Sequence, residues 1–327
     1  MKNRPFPRSL IRAAVILLLI VVGLPLFSRL YYGRSLPATL FALQLNKQKY
    51  LSDYAFAELL NEKRMLNSPP YELPEDVAFS VPVEESTHAG VQCFVMNKGG
   101  DRTIFFFPGG SYIDQPRKVH WTFLDALARD TGAEIIVPIY PKLPDYTAET
   151  AYPILTAMYR SFRPASAMDE IIFMGDSAGG SMALSLAMQL RGSTLPGPDK
   201  LILICPWLDV TLSNPEVPAY ERKDPALESL VLIHLGQHWA AALDTVDPII
   251  SPLYGSFEDL GRITLITGTG ELLYPDIRLL HEKLDAAGID HDYLEQKGMF
   301  HVWPLYVGYR IPETQETYEE IAAAVMK

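Results

Sequence analysis

Residues Ile171-Ile172-Phe173-Met174-Gly175-Asp176-Ser177-Ala178-Gly179-Gly180 decide the reading of this chain. A short apolar run of strand character meets a G-x-S-x-G string, and Ser181–Leu190 continues with helical period. A strand that turns sharply into a helix holds its central residue in a strained conformation and needs small neighbours on both sides. Such a turn lifts the Ser177 hydroxyl above the sheet at the positive end of a helix, the posture of a nucleophile.

A serine hydroxyl is a weak nucleophile near neutral pH and needs a base oriented by a third group. For this turn type the chain order is Ser, acid, His. Of the seven histidines, His88 precedes the core of the sheet, His120 begins a helix, His281 sits mid-helix and His291 starts the last strand. His234 and His238 are four apart, but Leu-Gly-Gln between them lacks the glutamate of a zinc-protease helix. His301 alone lies in a loop beyond the last strand, in Lys297-Gly298-Met299-Phe300-His301-Val302-Trp303-Pro304, and reads as the general base. The preceding strand, Ile263–Thr267, runs into Gly268-Thr269-Gly270-Glu271. Glu271 is therefore expected to orient His301; Asp276 is the alternative acid, though it reads better as the cap of the helix that follows. After the strand Thr103–Phe107 come Pro108-Gly109-Gly110-Ser111-Tyr112. Gly109 and Gly110, with the N–H of Ala178, are the expected donors to a developing oxyanion.

Working outward, the runs Val77–Val83, Val91–Met96, Thr103–Phe107, Glu134–Val137, Ile171–Met174, Leu201–Ile204, Ile263–Thr267 and Asp290–Leu294 alternate with helix-length segments. This predicts an α/β fold around a mostly parallel eight-stranded sheet, opened by an antiparallel hairpin turning at Ser86–Gly90. Three regions are expected: 1–34 as a basic head with an apolar run, 35–75 as a helical cap segment (one helical pattern from Leu36 to Leu66), and 76–327 as the main domain. Within the last, a Pro-rich insertion at about 206–254 would cover the carboxyl edge of the sheet, where ligands bind in such folds.

The chain has 327 residues and a net charge of −11. Residues 1–34 hold six basic residues and no acid, which leaves 22 basic and 39 acidic groups, a net of −17, on the remainder. An acidic body argues against nucleic acid as a partner. Two cysteines exclude a disulfide framework and a cysteine-based zinc module. Ala13–Phe27 are 15 consecutive apolar residues flanked by basic ones. With Leu10, Ile11 and Leu30, and Arg12 and Arg29 snorkelling, the stretch approaches the roughly 20 residues of a membrane-spanning helix. A cleavable signal is the competing reading, but no small-residue site follows the run. The expectation is an uncleaved single-pass anchor with the N-terminus cytoplasmic and the body outside.

The string at Gly175–Gly180 resembles the hormone-sensitive-lipase-like branch of the α/β-hydrolase superfamily. Val137-Pro138-Ile139-Tyr140-Pro141, Pro206-Trp207-Leu208-Asp209, Ser251-Pro252-Leu253-Tyr254 and Gly298-Met299-Phe300-His301 support the likeness. The resemblance implies a carboxylic-ester hydrolase without metal or organic cofactor, carrying a helical lid, here 36–75 and 212–245. Three positions depart from it: the family's HGGG reads Pro108-Gly109-Gly110-Ser111, with proline for the histidine and serine for the third glycine, and Glu271 stands where most members have Asp. Tyr112, Trp207, Phe300 and Trp303 suggest an apolar pocket for short or medium acyl chains. The competing readings are a non-catalytic binding module on the same scaffold, and an acyltransferase or peptidase using the same triad.

Overall fold

The computed structural model describes residues 12, 19–47, 49, 52–162 and 170–327. Eight strands form one sheet: β1 (Val83–His88), β2 (Val91–Met96), β3 (Arg102–Phe107), β4 (Glu134–Pro138), β5 (Glu170–Asp176), β6 (Lys200–Ile204), β7 (Arg262–Gly268) and β8 (His291–Gln296). Their spatial order is β1-β2-β4-β3-β5-β6-β7-β8. β1 and β2 pair antiparallel, as do β2 and β4, and all later neighbours are parallel.

The central strands are buried on both faces, which is why they read as unbroken apolar runs. In β3, Phe105 and Phe107 pack into one core layer while Ile104 and Phe106 pack into the other. The first layer is closed by α5 (Ala148–Phe162), α6 (Ala178–Leu190) and α9 (Tyr274–Ala287). The second is closed by α4 (Lys118–Thr131) and α10 (Pro312–Met326). Between β6 and β7 the chain makes α7 (Val217–Glu221) and α8 (Ser229–Ala240).

Two expectations need correction. The stretch from Val77 to Pro82 is not a strand, although Val77, Phe79 and Val81 do pack against the core. The Asp125 carboxylate accepts hydrogen bonds from the N–H and hydroxyl of Ser80 and the N–H of Val81. Those donors are thereby withdrawn from a ladder, Pro82 has no N–H to offer one, and pairing begins at Val83. The hairpin turns at Ala89–Gly90, both with positive φ.

The helical pattern from Leu36 to Leu66 is two helices, α2 (Leu36–Ala42) and α3 (Asp53–Asn67). Each has its own serine cap: Ser35 accepts from Ala38 N–H and Ser52 from Ala55 N–H, both at 3.2 Å.

Of the expected N-terminal anchor, residues 1–11 and 13–18 lie outside the described residues. The described part is a π-turn, Leu19–Gly23, leading into α1 (Leu24–Tyr31). Among the described residues, no helix is long and apolar enough to cross a membrane.

Candidate active site

The turn from β5 into α6 has the predicted strain. Ser177 sits at φ 53°, ψ −124°, a region that L-residues rarely occupy. It is held from both directions: its N–H donates to Ile204 C=O at 2.9 Å, and its own C=O accepts from Trp207 N–H at 3.0 Å. The flanking glycines have a steric cause. A Cβ at Gly175 would lie 2.4 Å from the Gly179 carbonyl oxygen, and one at Gly179 would strike the Phe107 carbonyl.

Ser177 and His301 line the same cavity of about 340 Å³, together with Gly109, Gly110, Ser111, Asp114, Arg117 and Leu227. His301 Nδ1 stands 2.6 Å from Glu271 Oε2. Glu271 is fully buried, and its other oxygen accepts from the Thr267 hydroxyl at 2.8 Å and the Gly268 N–H at 3.0 Å. Burial alone would depress the His301 imidazolium. The hydrogen bond and charge of Glu271, aided by Asp224 and Asp176, outweigh it and raise His301 above its ordinary value. The Ser177 hydroxyl makes no hydrogen bond to His301, although both face the same cavity.

The expected oxyanion loop is changed in one respect. Gly109 N–H donates to Asp176 Oδ1 at 2.9 Å, so it is already committed and cannot serve an oxyanion. The close approach is what demands glycine there, since a Cβ would lie 2.3 Å from Asp176 Oδ2. Gly110, Ser111 and Tyr112 then take positive φ in succession, turning the loop over the cavity. Gly110 and the first residue of α6, Ala178, remain as candidate donors from the original set, and Ser111 joins them.

Where the family pattern has histidine, Pro108 is held through its carbonyl by the Tyr140 hydroxyl at 2.6 Å. A histidine does stand beneath the loop, but from α4: His120 Nε2 lies 3.4 Å from Asp176. Burial pushes the Asp176 carboxyl up. The attraction and hydrogen bond of His120, with the Gly109 N–H and His301, outweigh this and hold it below the usual carboxylate value. Asp176 thus ties the oxyanion loop to the elbow. Asp176→Ala should lower kcat about 10²-fold while changing KM little, because it misplaces donors used mainly in the transition state. Steady-state kinetics check it.

Asp224, from the segment between β6 and β7, carries no signal in the sequence. Its carboxylate accepts from Leu272 N–H at 2.7 Å, next to Glu271, and from Ala226 and Leu227 N–H. At the other side, Arg34 donates to the Gly298 carbonyl at 2.8 Å, bracing the loop that carries His301. Glu313 accepts from Ser35 N–H and hydroxyl and from Arg29, which fixes the end of α1 on α10. Only long-range contacts reveal these roles.

Tyr112, Trp207, Phe300 and Trp303 are packed inside the protein, at most 1% exposed, and none lines the cavity. Tyr112 stacks between Trp207 and Trp239, and Phe300 stacks on Phe41. They are core, and the cavity wall is more polar than expected.

Asp276 is not the helix cap. It lies in the first turn of α9, 1% exposed, with the Asn214 side chain as its hydrogen-bonding neighbour and no helix N–H capped. Burial, with the negative charge of Asp209, pushes it up to about 7. A carboxyl raised in the folded state favours folding below the unfolded value, near 4, and loses that contribution as pH rises through about 7. Asp276→Asn should therefore match the parent near pH 4 and exceed it at pH 8 by roughly 2–4 kcal/mol. Denaturant melts at the two pH values check this.

A family profile described as an alpha/beta hydrolase fold matches residues 104–305. The chain is 26% identical over 262 residues to a triacylglycerol lipase of Mycobacterium tuberculosis, a match covering 79% of this chain and 55% of that protein. It therefore spans about half the length of that relative. It is also 26% identical over 227 residues to an acetyl-hydrolase of Streptomyces hygroscopicus, covering 69% of this chain and 75% of the relative. In fold, it is similar to the crystal structure of an esterase from the bacterial hormone-sensitive lipase family. The TM-score is 0.71 at 21% identity, over 85% of this chain and 99% of that one.

Proposed function

This chain belongs to the α/β-hydrolase fold family, and from that premise we propose that it is a serine carboxylic-ester hydrolase of the hormone-sensitive-lipase-like branch, working through Ser177, His301 and Glu271. The observation that carries the reading is the buried Glu271–His301 pair at 2.6 Å opening onto the same cavity as the strained Ser177. His301 takes the Ser177 proton as the oxygen attacks an ester carbonyl. The oxyanion that forms is held by the N–H groups of Gly110, Ser111 and Ala178. His301 then gives the proton to the leaving alcohol, and water, activated by the same histidine, releases the acid from the acyl-serine.

The cavity of about 340 Å³ is at the lower end of ligand-site volumes, which favours small or medium acyl groups. A panel of p-nitrophenyl esters tests this: kcat/KM should peak at a short acyl chain and fall with long ones. Added alcohols should accelerate p-nitrophenol release only if they intercept the acyl-enzyme. No release from any ester would overturn the reading.

The N-terminal segment is proposed to hold the catalytic body at a membrane, N-terminus inside. Support comes from the apolar run Ala13–Phe27 with its basic flanks, and from the exposed Leu24, Leu26, Phe27 and Leu30 of α1. Extraction of the full chain from membranes by alkaline carbonate would contradict an integral anchor.

A further inference from the structure

Far from the cavity, three side chains that the reaction does not use converge where α9 ends and β8 begins. His281 Nδ1 is 2.7 Å from His291 Nε2. Asp285, one turn after His281, brings its carboxylate within 3.5 Å of His281 Nε2 and 3.9 Å of His291 Nε2. One ligand atom from each lies within 4.8 Å of the others. β8 spans six residues, so this cluster sits about 17 Å or more from the loop end that leads to His301.

With both imidazoles neutral, this cluster leaves one nitrogen lone pair turned toward a carboxylate. His291 Nδ1 faces the Ile289 carbonyl at 2.8 Å, and a carbonyl only accepts, so that nitrogen carries the hydrogen. His291 Nε2 is then a bare lone pair. His281 Nδ1 must donate to it, which leaves His281 Nε2 as a second lone pair turned toward the Asp285 carboxylate, itself only an acceptor. A neutral pair of imidazoles leaves acceptor against acceptor, and one added positive charge resolves it.

Several features favour that charge being a metal ion. The Nδ1–H···O=C bond is the orientation that backbone carbonyls impose on metal-ligating histidines. His281 is held flat against Tyr293, ring centroids 4.0 Å apart and 5° from parallel, so its edge points at a fixed place. The His291 side chain is 4% exposed while Asp285 is 63% exposed, giving one anchored ligand and one that can close over an ion from solvent. The last turn of α9, ended by Gly288 in the left-handed conformation, directs its carbonyl dipoles at the same region.

We propose that His281, His291 and Asp285 form a divalent transition-metal site, with water as the remaining ligand. Two imidazoles and one carboxylate suit Zn²⁺. Bonds of 2.0–2.1 Å in a tetrahedron put ligand atoms about 3.3 Å apart, so the two rings need to part by only about half an ångström. The ion would clamp α9 to β8. Those two elements follow and precede the loops that carry Glu271 and His301, so the clamp acts on stability rather than on the chemical step.

Calorimetric titration of the full chain with ZnCl₂ near neutral pH tests the site, paired with thermal melts. One Zn²⁺ per chain is expected, with a dissociation constant on the order of micromolar or tighter. A hundredfold excess over that constant should raise Tm by about 5 °C. His281→Gln and His291→Gln should each weaken binding at least about tenfold, since a ligand is worth no less than an outer-shell partner. Asp285→Asn, on an exposed residue that does not put folding at risk, should weaken it in the same direction. His301→Ala should leave the stoichiometry at one, because the other close group of such ligands among the described residues, Cys205, Glu271 and His301, belongs to the active site. Absence of one-to-one binding, binding indifferent to His281 and His291, or binding lost only in His301→Ala would each overturn the proposal.

Discussion

Ser177→Ala and His301→Ala are each expected to lower kcat for ester hydrolysis by about 10⁶-fold, and the double variant by no more than either alone. The non-additivity is the informative part. The serine oxygen attacks only as fast as the histidine removes its proton, so losing one group leaves the other with nothing to do. What survives is the rate given by the oxyanion donors and substrate binding. Folding should be retained in Ser177→Ala. Alanine suffers the same φ of 53° that serine does, and no hydrogen bond from the Ser177 hydroxyl to His301 is there to be lost. Rates of the three variants against one ester, with melting curves to show intact protein, check this expectation.

Glu271→Gln should cost about 10⁴-fold in kcat, and the cause is the tautomer of His301. One Glu271 oxygen is occupied by two donors, Thr267 Oγ1–H and Gly268 N–H. A glutamine would keep its carbonyl oxygen toward them and turn its NH₂ toward His301 Nδ1. That nitrogen must then accept, which moves the ring proton to Nε2, the atom that has to receive the proton of Ser177. The same substitution removes the charge that raises His301, so the acid limb of the pH–rate profile should shift to lower pH. Glu271→Asp keeps the charge but shortens the reach to a ring now 2.6 Å away, and should fall between the two. A mere packing role for Glu271 would lower stability without moving the acid limb.

What is legible in the sequence divides by the range of the forces involved. The elbow is a local object: strand, two flanking small residues, serine and helix follow one another, and the steric demands at Gly175 and Gly179 come from neighbours close in sequence or in the adjoining strand. Ser177, His301 and Glu271 can be read because each stands at the end of a recognisable strand. Gly109 reads as a free donor because its N–H acceptor, Asp176, reaches it only once β3 and β5 pair in parallel. The substitution of Pro108 for histidine likewise reads as a loss, whereas His120, in the first turn of the helix that follows the loop, reaches Asp176 only once β3 and β5 lie side by side.

The aromatic residues mislead for a different reason. Tyr112, Trp207, Phe300 and Trp303 have the composition of an acyl pocket and of a core alike, and burial alone separates the two. The break between α2 and α3 does have a local signal, since Ser35 and Ser52 each precede a helix at capping distance. Residues in that break, Leu45 and Asn46, reach the rim of the cavity, so the correction matters for the site as well as the fold. The Asp276 carboxyl shows the limit of local rules. Its position at a helix start suggests a cap, yet the first turn of α9 turns it inward, where burial and the charge of Asp209 outweigh the Asn214 side chain.

Everything proposed for the reaction depends on the strained Ser177 being a nucleophile activated through His301. Incubating the folded chain with a fluorophosphonate and mapping the adduct by peptide mass spectrometry probes that dependence without any assumption about the natural ester. One adduct is expected, on the peptide containing Ser177, formed rapidly in the parent, slowly in Glu271→Gln and not at all in Ser177→Ala. Folded parent protein that hydrolyses esters yet carries no adduct at Ser177, or carries it on another residue, would show that the nucleophile lies elsewhere.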